Sequence, residues 1–137
     1  MPRALDVVLS VAAGSALGGV ARYLLASAAQ QRSAGFFPIG TFVVNVAGCL
    51  VMGFLMRVIL DTGEFSPTAR AFLTAGFCGG FTTFSTFAWE AMAAAEEGAL
   101  RRAIAYVGGS VVLGLCAVWL GSAAARLVLD LVRGKTA

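Results

Sequence analysis

Histidine is absent from the 137 residues, and charged residues make up only 12% of them. The absence of histidine excludes catalysis by an imidazole base and metal sites built on imidazole ligands. An average soluble domain is about a quarter charged, so this chain cannot cover a water-facing surface with polar groups. The composition therefore excludes a soluble enzyme. The small net charge of +3 and the scattered basic residues also argue against a nucleic-acid surface.

Cysteine is scarce as well. Cys49, Cys78 and Cys116 lie in separate apolar stretches and form no C-x-x-C pair. We interpret them as small hydrophobic residues rather than as metal ligands or a redox motif.

Long apolar windows dominate what is present, since apolar residues reach 59% and the mean hydropathy is +0.87. Residues 34–56, 71–89 and 103–125 contain no charged residue, and residues 7–29 contain only Arg22. A helix needs ~20 apolar residues to cross a bilayer. The sequence therefore predicts an all-α membrane protein, a single domain over residues 1–137, with four transmembrane helices near 5–29, 34–58, 69–95 and 102–128. We interpret the first window as a retained helix rather than a cleaved signal peptide.

Basic residues in the flanks give little preference for one orientation. With four spans, both termini and the middle loop share one side of the membrane, which then carries six Lys and Arg: Arg3, Arg57, Arg70, Arg126, Arg133 and Lys135. The opposite side carries four: Arg22, Arg32, Arg101 and Arg102. So small a bias predicts insertion in both directions.

Polar residues at bilayer depth are expensive unless they have a partner or line a pathway. On the second predicted span, Thr41 and Asn45 fall on one helical stripe, and Asn45 is the only asparagine of the chain. Two interpretations of Asn45 remain open. Its amide bridges two helices, or its N–H groups face a bound or permeating acceptor such as an anion.

The third predicted span has the densest polar cluster and a candidate helix break at Gly79-Gly80. Carbonyl groups freed by a break at membrane depth can coordinate a cation. Helical spacing after the break predicts Phe81, Phe84 and Phe87 on one arc, with the hydroxyls of Thr82, Thr83, Ser85 and Thr86 opposite. Because phenyl edges are electropositive, such a lining suits a small anion, although a phenylalanine stripe is more often simple packing.

Two further elements could extend this polar track. Tyr106, Ser110 and Gly114 follow one another at intervals of four residues on the fourth predicted span. Arg22, near the end of the first span, either snorkels to the interface or forms a basic vestibule that concentrates anions.

Three motifs together resemble the Fluc (CrcB) fluoride channel family. They are GTFVVNVAG at residues 40–48, GFCGGFTTFSTF at 76–87 and G-x-x-A-R-Y at 18–23. The resemblance covers essentially the whole chain, and the motif of the third span is the most specific of the three.

The resemblance implies passive fluoride export through two pores of an antiparallel, dual-topology homodimer, which lowers fluoride toxicity in the cytoplasm. It implies a multi-pass protein of the cell inner membrane or plasma membrane, and a structural Na⁺ held at the dimer interface by the backbone carbonyls of Gly79 and Thr82. The pore residues that it implies are Asn45, Phe84, Phe87, Thr41, Ser85, Thr86, Tyr106 and Ser110, with Arg22 in the vestibule. Gly114 departs from relatives that carry serine there. Glu90 matches an acid at the pore mouth of relatives, but the resemblance gives it no clear role.

Two other functions are considered. A small dual-topology multidrug transporter needs a carboxylate within its first span, and here only Asp6 lies at the start of that span. A structural subunit of a larger membrane complex would use the same polar residues for packing alone.

Overall fold

The computed structural model describes residues 3–32 and 37–134, and every secondary-structure element in those ranges is helical. The prediction of an all-α fold is therefore confirmed. The elements are α1 (Ala4–Gln31), α2 (Ile39–Thr62), α3 (Pro67–Ala71), a π-helical segment (Phe72–Cys78), α4 (Gly79–Phe81), α5 (Phe84–Glu96) and α6 (Leu100–Gly134). Residues 34–36 at the start of the second predicted span, and Lys135 of the charge count, lie outside the described residues.

Three helices in the described ranges are long and apolar enough to cross a membrane: α1, α2 and α6. The third predicted span is instead divided among α3, the π-helical segment, α4 and α5. At ~1.5 Å per residue, the 13 residues of α5 are too short for a hydrocarbon core of ~30 Å. Only the divided segment as a whole has the length for a crossing.

The break in this segment lies at Thr82 and Thr83, three residues after the Gly79-Gly80 pair near which the sequence predicted it. Both threonines are extended, with ψ of 161° and 115°, whereas Gly79 is helical. Gly80 serves close packing instead, whereas a Cβ on Gly79 would meet only the Thr74 carbonyl oxygen, at 3.7 Å. A Cβ on Gly80 would lie 2.6 Å from the backbone oxygen of Ser15 in α1. The close approach of α1 therefore leaves no room for a side chain at this position.

Left-handed glycines end two of the helices. Gly63 has φ of 67° and donates its N–H to the Ile59 carbonyl at the end of α2. Gly98 has φ of 78° in the turn between α5 and α6. Residues with a side chain rarely adopt this conformation, and these glycines therefore fix the turns at opposite ends of the protein.

The core consists of two close helix pairs. Helix α1 packs against the π-helical segment and α4, where Gly14 and Gly18 touch the backbone of Phe77. Helix α2 packs along α6, where a Cβ on Gly121 would lie 2.9 Å from the Phe54 nitrogen. Small residues allow such close approach of membrane helices.

An interhelical hydrogen bond fixes which helix ends lie together. The Arg133 guanidinium donates to the Asp61 carbonyl at 3.1 Å, so the carboxyl ends of α2 and α6 lie side by side. This arrangement agrees with the four-span topology, in which the second and fourth spans run in the same direction.

Candidate functional site

Asn45 closes the helix break with its side-chain amide. Its Nδ2 donates to the Thr83 carbonyl at 3.0 Å, and its Oδ1 accepts from the Thr83 backbone N–H at 2.8 Å. The amide thus substitutes for helix hydrogen bonds that the extended backbone has lost. This geometry supports the bridging interpretation of Asn45, and it leaves the second Nδ2 hydrogen for another acceptor.

The helix after the break begins with an N-cap that fixes two threonines. The Thr83 hydroxyl donates to Thr86 Oγ1 at 3.0 Å and accepts from the Thr86 backbone N–H at 3.3 Å. The Thr86 hydroxyl hydrogen is not used in this pair. Thr86 can therefore donate to a ligand while its position stays fixed by the cap.

The phenylalanines do not form the single arc that the sequence predicted, because the break intervenes. Phe81 stacks on Phe77, with ring centroids 5.9 Å apart, before the break. Phe84 and Phe87 pair after it at 5.8 Å, and Phe87 also contacts the Tyr106 ring at 5.1 Å. The Phe84 side chain is 79% exposed on the single chain, so its ring faces outward from the protomer.

A row of three hydrogen-bonded side chains joins α2, α5 and α6. The Thr41 hydroxyl donates to Glu90 Oε1 at 2.8 Å, and the Tyr106 hydroxyl donates to Glu90 Oε2 at 2.7 Å. Tyr106 is 2% exposed and Thr41 is 7% exposed. We call Thr41, Glu90 and Tyr106 the polar row.

Ser110 lies one helical turn beyond Tyr106 on α6. Its Oγ is buried, and it has no hydrogen-bond partner among the described residues. A buried hydroxyl without a partner carries a desolvation cost that a ligand could offset. Ser85, in contrast, is exposed on the protomer surface, and Gly114 is buried against Cys49 Sγ.

Two cavities flank the polar row. The loop-side cavity has a volume of about 200 Å³ and is lined by Glu90 and Tyr106, together with Phe37, Pro38, Trp89, Ala93, Ala94, Glu97, Ala99 and Arg102. The break-side cavity has a volume of about 240 Å³ and is lined by Thr41 and Thr86, together with Gly19, Arg22, Tyr23, Ala26, Ser27, Val44 and Thr83. The polar row therefore has one end in each cavity.

Backbone carbonyls near the break lack the usual helical partners. The Thr83 N–H, which would donate to the Gly79 carbonyl in a continuous helix, bonds to Asn45 Oδ1 instead. The Thr82 carbonyl accepts from Arg22 Nη1 at 3.4 Å. A carbonyl that has lost its helical donor can bind a hard cation, so sodium at Gly79 and Thr82 stays a prediction, and the Thr82 carbonyl already faces a positive charge.

Glu90 is the residue whose role the sequence left unclear. It is the only acidic residue between Arg70 and Glu96, and an acid at that depth is expensive without partners. This energetic cost is the signal in the sequence that points to Glu90 as a residue with hydrogen-bond partners. Its two partners, Thr41 and Tyr106, could not be assigned from spacing, because they come from two other helices.

Asp6, the only acid of α1, is part of a helix cap. Its carboxylate accepts from the Arg3 backbone N–H at 3.0 Å in a capping box. It therefore lies at the helix end, where it is not placed to exchange protons inside the span.

A family model matches residues 9–122, and its description is "CrcB-like protein, Camphor Resistance (CrcB)". The chain belongs to the CrcB family. The match covers Asn45, the polar row and both sides of the break, so the family relationship includes the whole candidate site.

Relatives named "Fluoride-specific ion channel FluC" align with nearly the whole chain. The relative from Solibacter usitatus is 47% identical over 86% of this chain and 97% of its own length. The relative from Nitratidesulfovibrio vulgaris is 46% identical over 89% and 98%, and that from Chlorobium luteolum is 48% identical over 87% and 92%. This CrcB chain is therefore a multi-pass membrane protein that is similar to named ion channels over most of its length.

Proposed function

We propose that this protein is a fluoride-selective channel that conducts the ion passively and lowers fluoride toxicity in the cytoplasm. Membership of the CrcB family and the names of its relatives support the ion and the channel mechanism. The protein would act in the cell inner membrane or plasma membrane. Passive conduction is sufficient because fluoride crosses membranes as neutral HF and becomes trapped inside as the anion.

The polar row is the observation that carries this proposal. Two hydroxyl groups, from Thr41 and Tyr106, converge on the oxygens of Glu90. Hydroxyl groups that donate to the Glu90 carboxylate can instead donate to a smaller anion, such as fluoride, that comes within reach. Because the row connects the two cavities, we propose that fluoride moves along it.

The remaining pore residues surround this row. Fluoride holds its hydration water strongly, so a selective pore must replace that water with donors in a narrow passage. We propose that the unused Asn45 N–H and the Thr86, Ser85 and Ser110 hydroxyls are such donors, and that the electropositive edges of Phe84 and Phe87 face the ion. Arg22, in the break-side cavity, would concentrate fluoride there.

The conducting form in this proposal is an antiparallel homodimer with two equivalent pores. The Phe84 ring is 79% exposed on the single chain and is therefore open to contact with a second copy, and the six-to-four division of basic residues favours both orientations. A two-fold axis in the membrane plane would give each pore an equivalent set of residues.

Sodium would be a structural ion at the interface of that dimer. The Gly79 and Thr82 carbonyls would hold it, and the Thr82 carbonyl would exchange its 3.4 Å contact with Arg22 Nη1 for the ion. One chain supplies two such oxygens, so the second copy would complete the site. A bound cation would neutralise the carbonyl dipoles of both broken helices and hold them together.

Fluoride efflux from liposomes that contain only this purified protein tests the proposal. We expect valinomycin and an internal fluoride load to give rapid efflux, and a matched chloride load to give almost none. Equal chloride efflux would contradict fluoride selectivity. No efflux of either ion from correctly folded protein would instead favour a structural subunit.

A further inference from the structure

The loop-side cavity carries unlike charges at its rim. Arg102, in the first turn of α6, and Glu97, which follows α5, both line this cavity together with Glu90 and Tyr106. Both rim residues are exposed. The mouth of this cavity therefore carries one positive and one negative side chain besides Glu90.

In the part of the chain that the structure describes, Arg102 forms no ion pair. Among residues 3–32 and 37–134, the one ion pair joins Arg57 to Asp61 at the opposite end of the protein. Arg101 is adjacent in sequence and equally exposed, but it does not line the loop-side cavity. The two neighbouring arginines therefore differ in position relative to the cavity and not in charge.

We infer that Arg102 binds fluoride transiently at the mouth of the loop-side cavity and raises the rate at which the ion enters the polar row. This inference rests on the proposed function. Charged groups at the rim of a cleft with low-dielectric walls raise the local concentration of counter-ions by about tenfold or more. Glu97, at the same rim, opposes this effect and limits the rate.

The aromatic walls of the loop-side cavity strengthen the effect of the Arg102 charge. Phe37 and Trp89 line the cavity, and Phe37 packs edge-on against the Tyr106 ring at 5.4 Å. These apolar walls lower the local dielectric, so that the field of Arg102 is screened less than on an open surface. The Tyr106 hydroxyl is the next donor that an ion held by Arg102 would meet.

Charge-neutral variants at three positions test this inference in liposomes of neutral phosphatidylcholine, where the lipid adds no surface charge. The variants are Arg102→Gln, Glu97→Gln and the matched control Arg101→Gln. Initial fluoride efflux is measured at low fluoride, with ionic strength set by an impermeant salt to about 0.01 M and then to about 1 M, where the Debye length falls from ~30 Å to ~3 Å.

At low ionic strength we expect Arg102→Gln to lower efflux about three- to tenfold and Glu97→Gln to raise it about two- to fivefold. Arg101→Gln should stay within about twofold of the parent. At high ionic strength the variants should converge. Arg102→Lys, which keeps the charge, should conduct like the parent.

Three results would overturn the inference. They are equal effects of Arg101→Gln and Arg102→Gln, a deficit of Arg102→Gln that salt does not change, and a parent-like rate of Arg102→Gln at low ionic strength. A parent that conducts no fluoride would instead contradict the proposed function itself, so the two failures are distinguishable.

Discussion

Asn45 and Thr83 exchange two hydrogen bonds at the point where the third crossing stops being helical. A backbone carbonyl and N–H buried at bilayer depth need partners, because water is not available there. The one asparagine of the chain supplies both an acceptor and a donor. Asn45 therefore has a structural role that does not depend on contact with an ion.

The first prediction concerns this pair. Asn45→Asp replaces Nδ2 with an oxygen that faces the Thr83 carbonyl, and a buried acceptor without a donor costs about 1–3 kcal/mol. We expect a lower midpoint of thermal unfolding in detergent and loss of fluoride efflux. Gln31→Glu makes the same chemical change at an exposed helix end and should alter neither. An Asn45→Asp protein that unfolds and conducts like the parent would contradict this account of Asn45.

The second prediction separates the polar row from ordinary threonines of the same helix. Thr41→Val keeps the shape of the side chain and removes the hydroxyl that donates to Glu90. Hydrogen bonds to charged groups contribute about 1.5–3 kcal/mol, so we expect fluoride efflux to fall about tenfold or more.

Thr62→Val is its control, because the Thr62 hydroxyl bonds only to nearby backbone at the far end of α2: it donates to the Val58 carbonyl and accepts from the Glu64 N–H. Its efflux should stay within about twofold of the parent, since the variant removes local bonds that do not face either cavity. Equal losses in the two variants would show that the Thr41 hydroxyl acts through helix stability and not through the pathway.

Among the helices, the broken third segment sets the geometry of the site. Composition and periodicity predicted the all-α fold and the need for a break in this region, because Gly-Gly, hydroxyl and phenylalanine residues crowd together there. They placed the break at Gly79-Gly80, three residues too early. Local sequence favours a break at glycine. The break instead lies where the Asn45 side chain of α2 replaces the lost helical hydrogen bonds of Thr83.

The same limit applies to the candidate site. Helical spacing could order Tyr106 and Ser110 along α6, since both lie on one helix. It could not join Thr41 to Glu90, because that contact crosses from α2 to α5 over 49 residues. Contacts between distant helices depend on how the helices pack, which one sequence does not specify.

A third prediction tests the packing of this segment against α1. In Gly80→Ala, the added Cβ would meet the Ser15 backbone oxygen at 2.6 Å, and backbone cannot move aside as a flexible side chain can. Overpacking of this kind costs about 1–3 kcal/mol, so we expect a clearly lower unfolding midpoint.

The matched variant is Gly109→Ala on α6, where a Cβ meets nothing within 4 Å. Alanine is favoured over glycine within a helix by up to about 1 kcal/mol, so its midpoint should be unchanged or higher. The account of the α1 contact would be wrong if Gly80→Ala proved as stable as Gly109→Ala.

For the whole molecule, the central structural proposal is that copies insert in both directions. Glu64, after α2, and Glu96, at the end of α5, are exposed at opposite ends of the described fold. Single cysteines at these positions leave the Lys and Arg balance intact, and acidic residues contribute little to orientation.

The fourth prediction is therefore a labelling pattern. In a chain whose native cysteines are replaced by alanine, an impermeant thiol reagent applied to whole cells should label about half of the Glu64→Cys copies and about half of the Glu96→Cys copies. A fixed orientation would give nearly complete labelling at one position and nearly none at the other, and the antiparallel dimer would then be abandoned.

The most direct test of the central claim is the reversal potential of the purified protein in a planar bilayer with a tenfold fluoride gradient and equal chloride on both sides. Passive, selective fluoride conduction predicts a reversal potential of about 59 mV, the potential that balances a tenfold gradient of a monovalent ion. Doubling chloride on both sides should not change it. A reversal potential near zero, or one that follows chloride, would contradict a fluoride-selective pore.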